Sequence, residues 1–266
     1  VMKFQNRPIE DRHPFLTVDA TYFKVRENNR VVSKALMIAY SVNEHGKREI
    51  LGFSAYRNES KDTWVDFLSG LKKRGLSGVL MITSDAHEGI RYAITKVFPN
   101  VPWQRCQFHF AKNISEKAPK KYQAGLRSEL TEMFNCKTVK EAREKRDEII
   151  EEYRDIAESA MNCLDEGFES AMTAMILPAW MRKFFRTSNH IERLNRELKR
   201  RSTVIGIFPS EASLLRLIGS VLIDQNSLNQ AHKAIFGPGS YKNLLGSNIR
   251  EVLQHVAEEQ ATLMVA

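Results

Sequence analysis

Apolar residues crowd three early runs, 15–25, 30–42 and 48–57, and short polar segments separate them. "FLTVDATYFKV", "RVVSKALMIAYSV" and "REILGFSAYR" read as strands, and the turns at 26–29 and 43–47 predict an antiparallel meander. The pattern then changes period. Trp64, Phe67, Leu68 and Leu71 recur at helical spacing over 60–75, with Ser60 placed to cap the start and Gly75 to stop it. The unbroken apolar run in "GVLMITSDAHEG" (78–89) predicts a strand buried on both faces, with Asp85 at its C-terminal end. Residues 90–99 read as a helix ended by Pro99, and 101–110 as a fifth, shorter strand. From 111 to 186 the periodicity is helical, 188–202 is another helix, and 210–264 is helical around a loop at 235–240. The mixed charges of 137–159 read as a solvated helix face.

The order βββ-α-β-α-β followed by helices matches, by analogy, the mixed sheet of ribonuclease-H-like α/β domains. In such a sheet the first and fourth strands are neighbours, so Asp19 and Asp85 are expected to converge. Asp19 poses the sharper question, because it sits among Phe, Leu, Val and Tyr. A buried, unpaired carboxylate costs roughly several kcal/mol. Two close carboxylates repel unless a cation joins them. Mg²⁺ takes oxygen ligands from one or two carboxylates and from substrate phosphates, which accounts for both acids. A third acid is expected on 188–202, where Ile191, Leu194 and Leu198 form an apolar stripe. Glu192 lies about 100° from Ile191, at the edge of that stripe. Asn189, Arg196 and Lys199 share its side, and Glu197 points elsewhere. The plain alternative for Glu192 is a surface pair with Arg196, worth about 0.2–0.5 kcal/mol.

Charge narrows the partner. Lys and Arg total 40 against 32 Asp and Glu in 266 residues, a formal +8 with pI near 9.4, which favours a polyanion. Three cysteines, Cys106, Cys136 and Cys163, make no disulfide framework and suit a reducing compartment. No apolar run approaches membrane-spanning length, and the N-terminal residues carry no signal-peptide pattern. The chain does not begin with Met and is expected to be a fragment of a longer protein.

Several motifs point the same way: "LTVDATY", "SDAHEGIRYAITKVFP", "WQRCQFHFAKNI", "SNHIERLNRELKRR" and "IGIFPSEASLLRLI". In this order, from about residue 15 to about 226, they resemble the catalytic region of Mutator-type transposases of bacterial insertion sequences. The resemblance implies a ribonuclease-H-like catalytic domain over 1–110 and 187–226. It further implies an all-helical insertion at 111–186 and a helical C-terminal extension at 227–266. It implies a DDE site at Asp19, Asp85 and Glu192, acting as catalytic and metal-holding acids. The cofactor is Mg²⁺, with Mn²⁺ as substitute, and two ions are expected when DNA is bound. Activity is expected to be DNA cleavage followed by strand transfer, by in-line phosphoryl transfer. The partners are transposon ends and target DNA, a homodimer is expected, no membrane is involved, and the setting is the bacterial cytoplasm at the nucleoid. The N-terminal region by which such transposases recognise their ends is expected to be missing here.

Around the acids, Arg193, Arg196, Lys199, Arg200 and Arg201 are expected to bind DNA phosphates; the plain reading is a solvated helix end. Cys106 and His109 have the spacing of half a zinc site, but by themselves they read as core packing. The resemblance includes a Cys-x-x-His here, which makes the pair an accessory candidate that orients substrate or a metal-bound water. Glu88 reads as a cap or first-turn charge on the following helix, with His87 and His190 open. Trp103 and Trp180 read as core, with base stacking the alternative for Trp180. Competing functions are a metal-dependent nuclease without strand transfer, a domesticated non-catalytic DNA-binding module, and a zinc-organised interaction domain.

Overall fold

The structure, a computed structural model, describes residues 1–246 and 248–265. Its strands are β1 (Phe15–Glu27), β2 (Arg30–Val42), β3 (Arg48–Tyr56), β4 (Met81–Ser84), β5 (Trp103–Arg105) and β6 (Ile207–Phe208). Its helices are α1 (Met2–Asn6), α2 (Lys61–Lys73), α3 (Glu88–Val97), α4 (Gln107–Glu116), α5 (Gln123–Phe134), α6 (Val139–Tyr153), α7 (Glu158–Met172), α8 (Ala179–Phe185), α9 (Asn189–Ser202), α10 (Glu211–Ala231), α11 (Pro238–Gly246) and α12 (Ile249–Val265). The strand path is β3-β2-β1-β4-β5, with β6 off the path and parallel to β1. The sheet is therefore mixed, in a chain of mixed α and β structure. No helix among the described residues is long and apolar enough to cross a membrane.

The meander forms as expected. β1 and β2 pair antiparallel from Phe15↔Val42 to Glu27↔Arg30, through a two-residue turn at Asn28 and Asn29. Both asparagines have positive φ, 49° and 62°, the left-handed pair that a tight hairpin requires and that Asn tolerates. Ser60 caps α2 as expected, in a reciprocal box with Thr63.

Five readings need correction. The apolar run at 78–89 yields only the short β4, because Gly78 has a φ of 72° before it and α3 already starts at Glu88. His87 caps that helix by accepting from the Gly89 amide at 3.1 Å, while Glu88 pairs with Lys61. The fifth strand stops at Arg105, and "CQFH" opens α4 instead. Phe110 and Ile114 bury at helical spacing there, and the Phe110 amide donates to the Cys106 carbonyl at 2.9 Å. Trp180 is 47% exposed rather than core, because Met181 and Phe185 take the inner face of α8; Trp103 is buried as expected. The loop at 235–240 also gives way to α11 from Pro238, and Ser247 of the helical reading 210–264 lies outside the described residues. β6 was not anticipated.

Two compact units divide the chain. The first holds Val1–Ile82, His87–Pro102 and Ser188–Ala266; the second holds Thr83–Ala86 and Trp103–Thr187. In the first, Phe23, Leu36, Ile38 and Phe53 of the sheet meet Ile191, Leu194 and Leu198 of α9 and Leu214, Ile218 and Leu222 of α10. Each fully buried side chain of this kind contributes roughly 1.5–3 kcal/mol, so the α9 stripe is what lays that helix on the sheet. The second unit has a core of its own, built from Phe110, Leu126, Leu130, Ile149, Leu164 and Phe168. There Gly167 of α7 lets the Phe110 ring and the Arg105 guanidinium approach where a Cβ would overlap them.

Candidate active site

β1 alternates its side chains, so Thr17, Asp19 and Thr21 share one face. Asp19 is half-buried there. Its Oδ1 accepts from the Ala20 amide at 2.9 Å and its Oδ2 from Asn195 Nδ2 of α9 at 2.6 Å. α9 runs along β1 in the same direction as the strand. His190 Nε2 meets Thr17 Oγ1 at 3.2 Å, Asn195 holds Asp19, and the Lys199 ammonium donates to the Tyr22 carbonyl. Glu192 stands about 60° from Asn195 and about 20° from Lys199 around the helix, on the side that reaches β1. It is half-buried, and Ser188 Oγ donates to its Oε1 at 2.9 Å. No ion pair joins it to Arg196 among the described residues, so the plain surface pairing is absent.

The first unit thus supplies carboxylate oxygens from Asp19 and Glu192. It also supplies Asn195 Oδ1, a buried oxygen with no hydrogen-bond partner among the described residues. Leaving such an acceptor unmet costs about 1–3 kcal/mol. An all-oxygen donor set with one unmet acceptor fits a hard divalent cation such as Mg²⁺. The sequence reading placed Asn189, Arg196 and Lys199 on the side of Glu192 and did not name Asn195, yet Asn189 is exposed and Asn195 makes the contact with Asp19. The two stand about 60° to either side of Glu192, so the helical wheel alone held the signal for Asn195.

Asp85 lies in the second unit, half-buried just past the end of β4. The residues before it are pinned. Thr83 Oγ1 donates to the Phe185 carbonyl at 2.8 Å, and Trp103 Nε1 donates to Ser84 Oγ at 2.9 Å. The Ser84 carbonyl accepts from the Cys106 amide at 2.8 Å, which ties the start of α4 to the strand carrying Asp85. Cys106 is fully buried at the N-cap position, and His109, one turn on, is half-buried. Cys106 Sγ and a ring nitrogen of His109 lie within 4.8 Å, half of the four ligands a structural zinc takes. All three cysteines are free thiols.

The basic residues of α9 have different commitments. Arg200 and Arg201 both grip Glu197, at 2.8 and 2.7 Å. That grip, Arg200 first and then Arg201, holds the Glu197 carboxyl down to about 2. Lys199 also lies 4.4 Å over the Phe23 ring, and burial lowers its pKa. Arg193 and Arg196 are exposed and make no ion pair among the described residues.

Comparison with known proteins agrees with this arrangement of motifs. The family model described as "Transposase, Mutator family" matches residues 1–231. The transposase for insertion sequence element IS256 in transposon Tn4001 of Staphylococcus aureus is 42% identical over 227 residues, covering 84% of this chain and 58% of that protein. The transposase for insertion sequence element IS1081 of Mycobacterium tuberculosis is 36% identical over 227 residues, covering 85% of this chain and 55% of that protein. The chain therefore spans little more than half the length of the relatives it matches. With most of its length matched by the family model and by relatives above 30% identity, the chain belongs to the Mutator family of transposases.

Proposed function

We propose that this chain is the DDE catalytic region of an insertion-sequence transposase with a ribonuclease-H-like sheet. It would cut DNA and join the cut end to a target. The observation that carries the reading is the hold of Asn195 on Asp19 from the helix face that bears Glu192. The strand path, with β1 beside β4, supports the fold. Asp19, Asp85 and Glu192 are the proposed catalytic acids. They would hold Mg²⁺, or Mn²⁺ in its place, and DNA phosphates would complete the shell of two ions. A metal held there would supply Lewis-acid chemistry, activating a hydroxyl and screening charge on the phosphate under attack. In cleavage, water oxygen bonds to phosphorus as the P–O3′ bond breaks, leaving a 5′-phosphate and a 3′-hydroxyl that takes up a proton. In transfer, that 3′-hydroxyl bonds to a target phosphorus as the target's own P–O3′ bond breaks. One phosphodiester is made for each one lost, and no covalent enzyme intermediate arises. Asn195 keeps the Asp19 carboxylate oriented, and Ser188 does the same for Glu192. A homodimer at the bacterial nucleoid follows from the same reading, since two ends must be paired.

The test is Mn²⁺ titration by calorimetry of the wild-type chain and of Asp19→Asn, with and without a short duplex, followed by cleavage and joining assays. Binding and cleavage present in the wild type and lost in the variant are expected. Undiminished cleavage by Asp19→Asn would refute the assignment.

A further inference from the structure

A cleft of about 600 Å³ opens in the first unit beside the start of α9. Arg48 of β3, Arg193 of α9 and Lys233, just past α10, reach it from three separate elements. None of the three makes an ion pair among the described residues, and no acidic residue is among those lining the cleft. The rest of the polar wall is neutral donors and acceptors, chiefly Gln225 and Asn229, one helical turn apart on α10. Arg200 and Arg201, by contrast, are taken up by Glu197, and Arg143 by Glu169. Three cations sharing one cleft with no counter-charge repel one another, and an anion relieves that repulsion.

The cleft is anchored at its edges. Lys47 Nζ donates to the carbonyls of Gln230 and His232 at 2.9 and 2.7 Å, which fixes the segment before Lys233. Asn226 Oδ1 accepts from the Ile50 amide at 2.8 Å, which fixes α10 to β3. The floor is the Tyr40 ring, 4.5 Å from the ring of His190. His190 in turn touches Thr17, two residues before Asp19 on the same face of β1. That separation is about 7 Å along the strand. The cleft is therefore linked, through His190 and Thr17, to the stretch of β1 that carries the proposed catalytic acid.

We propose that this cleft binds a backbone phosphate of a DNA strand and leads that strand to Asp19. The cleft is separate from the run Arg196 to Arg201 and draws His190, Arg193 and Leu194 from that helix, with Arg193 its one cation there. The inference rests on the proposed DNA-processing function. A cleft of this size also has the volume of a small-ligand site, so free nucleotide is the rival source of the same phosphate chemistry.

The test measures duplex binding by fluorescence anisotropy across a salt series, for the wild-type chain and for Arg48→Gln and Lys233→Gln singly and together. Both side chains reach solvent, and thermal melting checks that each variant folds. Weaker binding is expected, with the slope of log affinity against log salt shallower by about 1 for the pair. Wild-type DNA binding with an unchanged slope in the pair would overturn the cleft and leave the proposed function standing. No DNA binding by the wild type would overturn both. Deoxynucleoside monophosphate is titrated in parallel by calorimetry. Nucleotide binding lost in the pair, with DNA binding unaltered, would assign the cleft to a free ligand and overturn the strand proposal.

Discussion

The two halves of α9 carry the same kinds of residue and use them in opposite ways. In the second half, Glu197, Arg200 and Arg201 satisfy one another at i,i+3 and i,i+4 spacing, and nothing outside the helix is needed. In the first half, Arg193 and Asn195 look outward from the helix, while Glu192 meets the helix's own N-cap. Asn195 holds an acid on β1, Arg193 enters the cleft, and Glu192 takes a hydroxyl from Ser188. Both halves obey the helix dipole, with Glu192 in the first turn and Lys199, Arg200 and Arg201 in the last. Charge type therefore says little about role. A charged group closed by ion pairs within its own turn, as Glu197 is, is spent on the helix, while one that faces another element is available for chemistry.

The largest expected effect comes from exchanging the two glutamates. Glu192→Gln should lower DNA cleavage by at least about 10²–10³-fold, since it removes a charge from the centre that stabilises the transferring phosphoryl group. Glu197→Gln should leave cleavage unchanged. Equal losses in both would erase the distinction between the halves. Next is Asn195→Ala, which frees Asp19 without touching either acid. A loss of about 10–100-fold in metal affinity is expected, as for groups that orient a metal ligand. Mn²⁺ calorimetry reads it directly, and Asn195→Gln should restore little, because one more methylene misplaces the amide.

The hairpins, the Ser60 cap and the apolar stripe of α9 were legible because each is local: turn residues, cap spacing and period lie within about ten residues. Asp19 was legible for the opposite reason, as an acid that violates its strand. What was lost depends on elements distant in sequence. β6 is two residues long and exists only by pairing with Lys24 and Val25 of β1. Arg48 and Lys233 are ordinary basic residues until the fold puts them in one cleft. "CQFH" looked like strand because its helix continues into residues whose burial depends on the helical core. Asn195 was within reach of the helical wheel, but only the contact with Asp19 distinguishes it from Asn189.

The acid titration of Histidine 13 offers a contrast from a side chain whose partners are equally long-range but whose role is stability. His13 is fully buried in the first unit, with Nδ1 2.8 Å from Ser41 Oγ and Nε2 3.9 Å from Glu49. Burial chiefly lowers its pKa to about 4, with Arg7 in the same sense and Asp11 and Glu44 opposing. The unfolded chain takes up this proton below the ordinary 6.5, and the folded chain resists until about 4. Stability should therefore be full above pH 6.5 and fall between 6.5 and 4, by about 2–3 kcal/mol. Burial raises the Glu49 carboxyl and acts in the reverse sense, so the clean readout is the difference between the wild type and His13→Gln in urea unfolding across that window. A difference that stays flat with pH would show that His13 is protonated in the fold.

The smallest effects return to the arginines. Arg193→Gln should make the salt slope of duplex binding shallower by about 1, while Arg200→Gln with Arg201→Gln should change it less, because those guanidinium groups are shared with Glu197. The same double variant should release the Glu197 carboxyl from about 2 toward its ordinary 4.5. The pairing therefore favours the fold fully above pH 4.5, and that contribution is lost as pH falls from 4.5 through about 2. A side-chain carboxyl titration by NMR reads both values. If Glu197 titrates near 4.5 in the wild type, the fork is open in solution. Arg200 and Arg201 are then as available to DNA as Arg193, and the two halves of the helix differ only in Glu192 and Asn195.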